Sequence, residues 1–200
     1  MLGGLTLKVQ RRFALILIRS TQALRVLFYR MLSWCQIEGN HPTRLQPVLC
    51  IGSGTIKFGK NVRLGCFPSP EFVNGVCYLE ARRSMARVEI GDNCWLNNNF
   101  TAIAESSSIT IGRDCLIGPG VMIIDSDFHG LQPHERNNST AIIQSSVTIG
   151  DNVFIGANVV ILKGVAIGQN SVVAAGSVVT KAIPENVIAA GNPAHVVRAL

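Results

Sequence analysis

Hydrophobic positions in this chain recur at a spacing that neither a helix nor an alternating strand explains. From residue 149 an aliphatic side chain stands at every sixth position: Ile149, Ile155, Ile161, Ile167, Val173 and Val179. Four residues after each comes a second, mostly small side chain: Val153, Val159, Val165, Ser171, Ser177 and Ile183. Gly150, Gly156 and Gly168 directly follow the first slot. The phrase occurs earlier as Ile90-Gly91-Asp92-Asn93-Cys94, Ile111-Gly112-Arg113-Asp114-Cys115 and Ile117-Gly118-Pro119-Gly120-Val121, and more weakly as Ile51-Gly52-Ser53-Gly54-Thr55. A helix repeats about every 3.6 residues and a half-buried strand every second one. A period of six fits a short strand and a turn, repeated, with Gly, Asn and Asp where the turn strains the backbone. Three such units close a triangular coil. Stacked coils lie about 4.8 Å apart, each burying its aliphatic slot against its neighbours, so stability accrues coil by coil.

Two stretches break the rhythm. Residues 67 to 87, with Pro68, Pro70 and Gly75, read as a widened or decorated coil. Residues 125–146 have a polar middle, and the repeat resumes in another phase, since Ile123 to Ile149 is not a multiple of six. A long loop inside a tight solenoid is usually functional or disordered. The chain divides into a helical segment over 1–45, a β-helix over 46–183 with the extruded loop 125–146, and a C-terminal tail over 184–200.

Residues 5 to about 35 contain no Gly or Pro, which predicts a helix. Its longest apolar run, Phe13 to Ile18, is broken by arginines on both sides, short of the ~20 apolar residues a membrane span needs. Lys8, Arg11, Arg12, Arg19, Arg25 and Arg30 all precede the first acidic residue, Glu38. Such a helix suits either a membrane interface or packing on a neighbouring subunit.

Composition narrows the classes. With 48% apolar and 15% charged residues the chain is no disordered segment. The net charge of +6 sits largely at the N-terminus, without a nucleic-acid-binding signature. The six cysteines form no C-x-x-C pair, which argues against a zinc or redox motif and for reduced thiols in a cytoplasmic protein. Cys94 and Cys115 stand in the slot that Val153 fills elsewhere, as small buried hydrophobes. No cleavable signal peptide is evident.

The repeat resembles that of the hexapeptide-repeat acyltransferases, whose fold is an all-β, left-handed parallel β-helix. From Ile117 to Ala190 the chain is similar to the maltose/galactoside acetyltransferase branch and to sugar O-acetyltransferases of bacterial surface polysaccharides. The strings Gly176-Ser177-Val178-Val179-Thr180-Lys181-Ala182-Ile183-Pro184 and Ala190-Gly191-Asn192-Pro193-Ala194 carry that resemblance most specifically. It implies transfer of acetyl from acetyl-CoA to a sugar hydroxyl. It also implies a general base at His129, at the end of Ile124-Asp125-Ser126-Asp127-Phe128-His129, where relatives often follow the histidine with Pro and this chain has Gly130.

An imidazole, with a pKa of about 6.5 in the free side chain, can take the hydroxyl proton as the oxygen attacks a thioester. The oxyanion then needs aimed donors, by resemblance the Ala157 amide. Phe154 would line the pantetheine channel, where many relatives carry Trp. Ala175, Thr180 and Lys181 would contact the pantetheine or nucleotide end, with Lys181 and Arg198 neutralising phosphates; His195 replaces a basic residue there. Asp125 or Asp127, Asp127 favoured, is expected to orient the imidazole. Of Asn97 and Asn99, Asn99 is expected to face the acceptor, and Glu135 or Arg136 could also contact it. The family implies a homotrimer with sites between subunits. No metal is expected, and the cysteines and the basic, apolar N-terminus point to a cytoplasmic protein that could lie against the inner membrane.

Other readings remain. An N-acetyltransferase of a nucleotide-linked amino sugar and a xenobiotic acetyltransferase share the fold. A β-helical carbonic anhydrase would need three converging histidines, whereas only His129 and His134 are close in sequence. A non-catalytic scaffold would not require the loop histidine or the C-terminal strings.

Overall fold

The computed structural model describes residues 2–137 and 139–200. A helix, Leu2–Leu32, is followed by stacked coils of short parallel strands. Each coil has three faces. The first carries Trp34–Gly39, the end of Val48–Phe58, Arg87–Ile90, Ser108–Ile111, Val147–Ile149 and Ala166–Ile167. The second carries Thr43–Arg44, Arg63–Leu64, Trp95–Leu96, Leu116–Ile117, Phe154–Ile155, Val172–Val173 and Val187–Gly191. The third carries the start of Val48–Phe58, Cys77–Ala81, Thr101–Ala104, Met122–Ile124, Val160–Ile161 and Val178–Val179. Val48–Phe58 turns a corner at Gly52 (φ 114°) and joins the first and third faces into one sheet.

The six-residue rhythm is the register of this stack. Phe58, Ile90, Ile111, Ile149, Ile167 and Ile183 pair in sequence on the first face. Leu64, Leu96, Ile117, Ile155, Val173 and Ala189 do so on the second, and Leu79, Ala102, Ile123, Ile161 and Val179 on the third. All are buried and form one continuous core. Cys94 and Cys115 are buried in the same stack, and all six cysteines are unpaired thiols.

Corners use the residues that accept left-handed backbone angles. Asn61, Asn93, Asp114, Asn152, Asn170 and Asn186 all have φ between 54° and 60°, a region that most other L-residues enter at a cost of about 1–2 kcal/mol. Their side chains chain together, with Asn152 Nδ2 donating to Asn170 Oδ1 (3.0 Å) and Asn170 Nδ2 to Asn186 Oδ1 (2.9 Å).

Three details differ from the sequence expectation. The helix stops at Leu32, because Trp34–Gly39 adds to the first face and the Ser33 hydroxyl accepts the Cys50 amide at 3.0 Å. Sheet pairing therefore begins inside the segment 1–45 expected to be helical. The C-terminal tail is not a simple appendage: Val187–Gly191 continues the second face and pairs antiparallel with Ala194–Ala199. The irregular stretch has a task, since the Gln22 side-chain amide donates to the Phe72 carbonyl and Arg25 to the carbonyls of Val73 and Gly75. This loop clamps the C-terminal half of the helix, while nearly every side chain from Thr6 to Ser20 is exposed. No helix among the described residues is long and apolar enough to cross a membrane.

Candidate active site

The extruded loop leaves the third face after Met122–Ile124 and re-enters the first at Val147–Ile149, so the phase break is a loop set between two faces of one continuing stack. Its base is stitched. The Asp125 carboxylate, fully buried, accepts the amides of Glu105 (2.7 Å) and Ser107 (2.9 Å), and its carbonyl accepts the Ser145 amide (2.8 Å). Burial pushes the Asp125 carboxyl above the usual range, with the two amides pulling the other way. The Asp127 amide donates to Ile143, and Lys163 Nζ lies 2.6 Å from Asp127 Oδ1. Phe128 then takes φ 61°, its ring beneath the Arg82 guanidinium at 4.9 Å, and the chain turns into His129.

His129 is exposed, and its Nδ1 lies 2.9 Å from the main-chain carbonyl of Arg136. A carbonyl only accepts, so Nδ1 carries the hydrogen, and in the neutral ring that tautomer leaves Nε2 as the acceptor. Gly130 makes this closure possible: a Cβ there would sit 2.5 Å from Glu135 Cβ and 2.7 Å from its carbonyl oxygen. Neither aspartate orients the imidazole. Asp125 is spent on backbone amides and Asp127 on Lys163, because carboxylates at the loop base reach the donors nearest to it, whereas His129 lies beyond, where the loop turns back on itself. Asp127 Oδ2 is buried with no hydrogen-bond partner among the described residues.

Beside Phe128 lies a charged cluster that the sequence reading missed. Arg82 pairs with Glu80 (2.7 Å) and Glu105 (2.6 Å), and Arg83 adds to Glu105 (3.2 Å). Tyr78 donates to Glu80 at 2.9 Å. Burial works against the Glu80 charge, but the bonds from Arg82 and Tyr78 outweigh it and hold this carboxyl below the usual glutamate range. Burial, then the bond to Glu80, pushes the Tyr78 phenol up to about 12. The only sequence signal was Glu80 and Glu105 falling on neighbouring coils, legible once the register is known.

On the second face, Trp95, Leu116 and Phe154 stack in register with outward side chains, and Asn97 joins them around a groove of about 200 Å³. Phe154 is thus an outward groove residue. The three asparagines of the run 97–99 divide the work. Asn98 is buried and grips the 66–70 loop through Cys66 and Pro70. Asn99 forms a corner at φ 58°, its amide donating to Gln46, with its side chain exposed. Asn97, not Asn99, lines the groove.

Past the groove, Ala157 and Ala175 stack at the next corner, where a Cβ on Gly156 would meet the Ala175 amide nitrogen at 2.5 Å. The Gly156 and Asn158 amides bond within the coils; among the described residues no carbonyl accepts that of Ala157. Thr180 and Lys181 are exposed beyond the Val178–Val179 strand, and Arg198 is exposed on the last strand. Among the described residues no group of three or more His, Cys, Asp or Glu could hold a metal.

A family model described as a hexapeptide repeat of succinyl-transferase matches residues 146–181. WbbJ of Escherichia coli K12, named for O-acetyl transfer in lipopolysaccharide biosynthesis, is 34% identical over 96% of this chain and 93% of its own length. The chain belongs to the hexapeptide-repeat acetyltransferases. The galactoside O-acetyltransferase of Escherichia coli K12 is 44% identical over 113 residues, 56% of this chain. Here the match spans only about half (54%) of the relative's length. Among solved structures, a hexapeptide-repeat-containing acetyltransferase of Vibrio cholerae superposes with a TM-score of 0.53 at 27% identity, covering 90% of this chain and 81% of that one. Within this hexapeptide-repeat chain, the stretch matched by the family model holds Phe154 and the Ala157 corner, while His129 and the rest of the groove, Trp95, Asn97 and Leu116 among it, precede that stretch.

Proposed function

We propose that this chain, coiled left-handed as in its family, transfers acetyl from acetyl-CoA to a hydroxyl of a bacterial surface polysaccharide or its precursor. The observation that carries the proposal is the Nδ1–Arg136 bond, which leaves Nε2 of an exposed imidazole as a proton acceptor. Nε2 takes the proton as the sugar oxygen bonds to the thioester carbonyl carbon. The Ala157 amide donates to the resulting oxyanion, and the imidazolium returns its proton to the departing thiolate. Phe154 and Trp95 flank the pantetheine arm, and Lys181 and Arg198 meet the nucleotide phosphates. Asn97 takes the acceptor-side role expected of Asn99, because it is the asparagine in the groove.

These parts are carried by different corners of the coil. The His129 loop is anchored at the Lys163 corner, and Ala157 sits at the opposite corner of the same face. The Val160–Ile161 strand runs between these two corners. A neighbouring copy in a closed trimer would bring the His129 loop to the groove. The Thr6–Ser20 part of the helix, apolar, basic and without acids, would rest on an anionic membrane surface.

Purified protein with acetyl-CoA and a surface-glycan acceptor is expected to release free thiol and form a base-labile ester. His129→Ala should lower kcat by about 10²–10⁴-fold. A variant that turns over at the wild-type rate sinks the proposal.

A further inference from the structure

Away from the loop and groove, a pocket of about 550 Å³ opens between the end of the helix and the first coil. Arg30 and Ser33 come from the helix side, and His41 and Arg44 from the coil side, with Val26 and Ile37 as apolar wall. No carboxylate lines it. Among the described residues neither arginine enters an ion pair. Arg44 Nη1 is buried without a hydrogen-bond partner. A buried donor without a partner destabilises a fold, and guanidinium groups match phosphate geometry closely.

We infer that this pocket binds a phosphate group, held by Arg44 and Arg30 with His41 at its mouth. The ligand is a phosphate monoester or diphosphate, presented on a lipid or free in solution. The apolar wall and the exposed apolar residues Leu27, Met31 and Leu32 on the adjoining helix fit a headgroup whose chain runs along that helix. The inference is independent of acetyl transfer: it needs neither His129 nor the groove at Phe154.

Inorganic pyrophosphate titrated calorimetrically into the full-length protein tests it. Wild type is expected to bind, and Arg44→Met and Arg30→Ala to bind at least tenfold more weakly. Lys181→Ala should retain binding, which separates this pocket from any phosphate contact at the nucleotide end. Arg44→Met should unfold at no lower temperature than wild type, since it deletes an unpaired donor; a purely structural arginine would lower it. Co-sedimentation with phosphatidylcholine vesicles, with and without phosphatidic acid, identifies the source. Retention that depends on phosphatidic acid and on Arg44 assigns a lipid headgroup, whereas pyrophosphate binding without vesicle retention assigns a soluble phosphate. Absence of pyrophosphate binding by wild type, or loss in Lys181→Ala with retention in Arg44→Met, overturns the inference.

Discussion

Replacing Lys163 by Met removes the one cation that pairs with Asp127 among the described residues. The pair is 2.6 Å long, and its side chains are 27% and 21% exposed. Exposed pairs contribute about 0–1 kcal/mol, whereas stranding one member of a fully buried pair costs about 3–5 kcal/mol. With both partners roughly three-quarters covered and Asp127 Oδ2 already unpartnered, Lys163→Met should cost about 2 kcal/mol, near a thirty-fold shift in an equilibrium. The cost falls on loop opening, because the core ladders lie elsewhere. Amide hydrogen exchange at Asp127 and Ser145, whose bonds to Ile143 and Asp125 close the loop base, should therefore speed up about thirty-fold while exchange at Ile155 stays unchanged. Asp127→Asn in the same chain removes the stranded charge and should recover at least half of the loss. If the single substitution speeds exchange less than twofold, or the double variant is worse than the sum of the singles, the ion pair does not hold the loop and the account of how His129 is positioned fails.

Two further outcomes follow from burial. Ile155→Ala, wholly buried between Ile117 and Val173, should destabilise the chain by about 2–5 kcal/mol in denaturant titrations, with a cavity between coils as the cause; a loss below 1 kcal/mol would mean that the stack closes up freely. The Tyr78 phenol should ionise near 12, read as the difference in tyrosinate absorbance between wild type and Tyr78→Phe. Its folded pKa lies above the unfolded value of about 10, so its contribution to stability is complete below pH 10 and disappears as pH rises toward 12; a step at pH 10 in that difference contradicts the burial of the phenol and its bond to Glu80.

Much of the architecture could be read from the chain because a stacked coil repeats one local problem. Each coil must bury one aliphatic slot and turn one corner, so Ile149, Ile155 and Ile161, with Asn152 and Asn158 at the corners, reveal a period without knowledge of distant contacts. His129 stood out where the rhythm breaks, whereas its role as a base and the choice of Phe154 came from the resemblance to the acetyltransferase family. Who touches whom across the loop was not legible. Asp127 stands two residues from His129, yet it bonds Lys163, far along the chain, and a main-chain carbonyl takes the imidazole. Nor did the run Asn97-Asn98-Asn99 announce which member would be buried, which a corner and which in the groove, since that depends on where the 66–70 loop lands. Local burial and turn chemistry are written in the order of residues. Hydrogen-bond partners between segments depend on the register of the stack and the path of its loops, and only the folded coil supplies those.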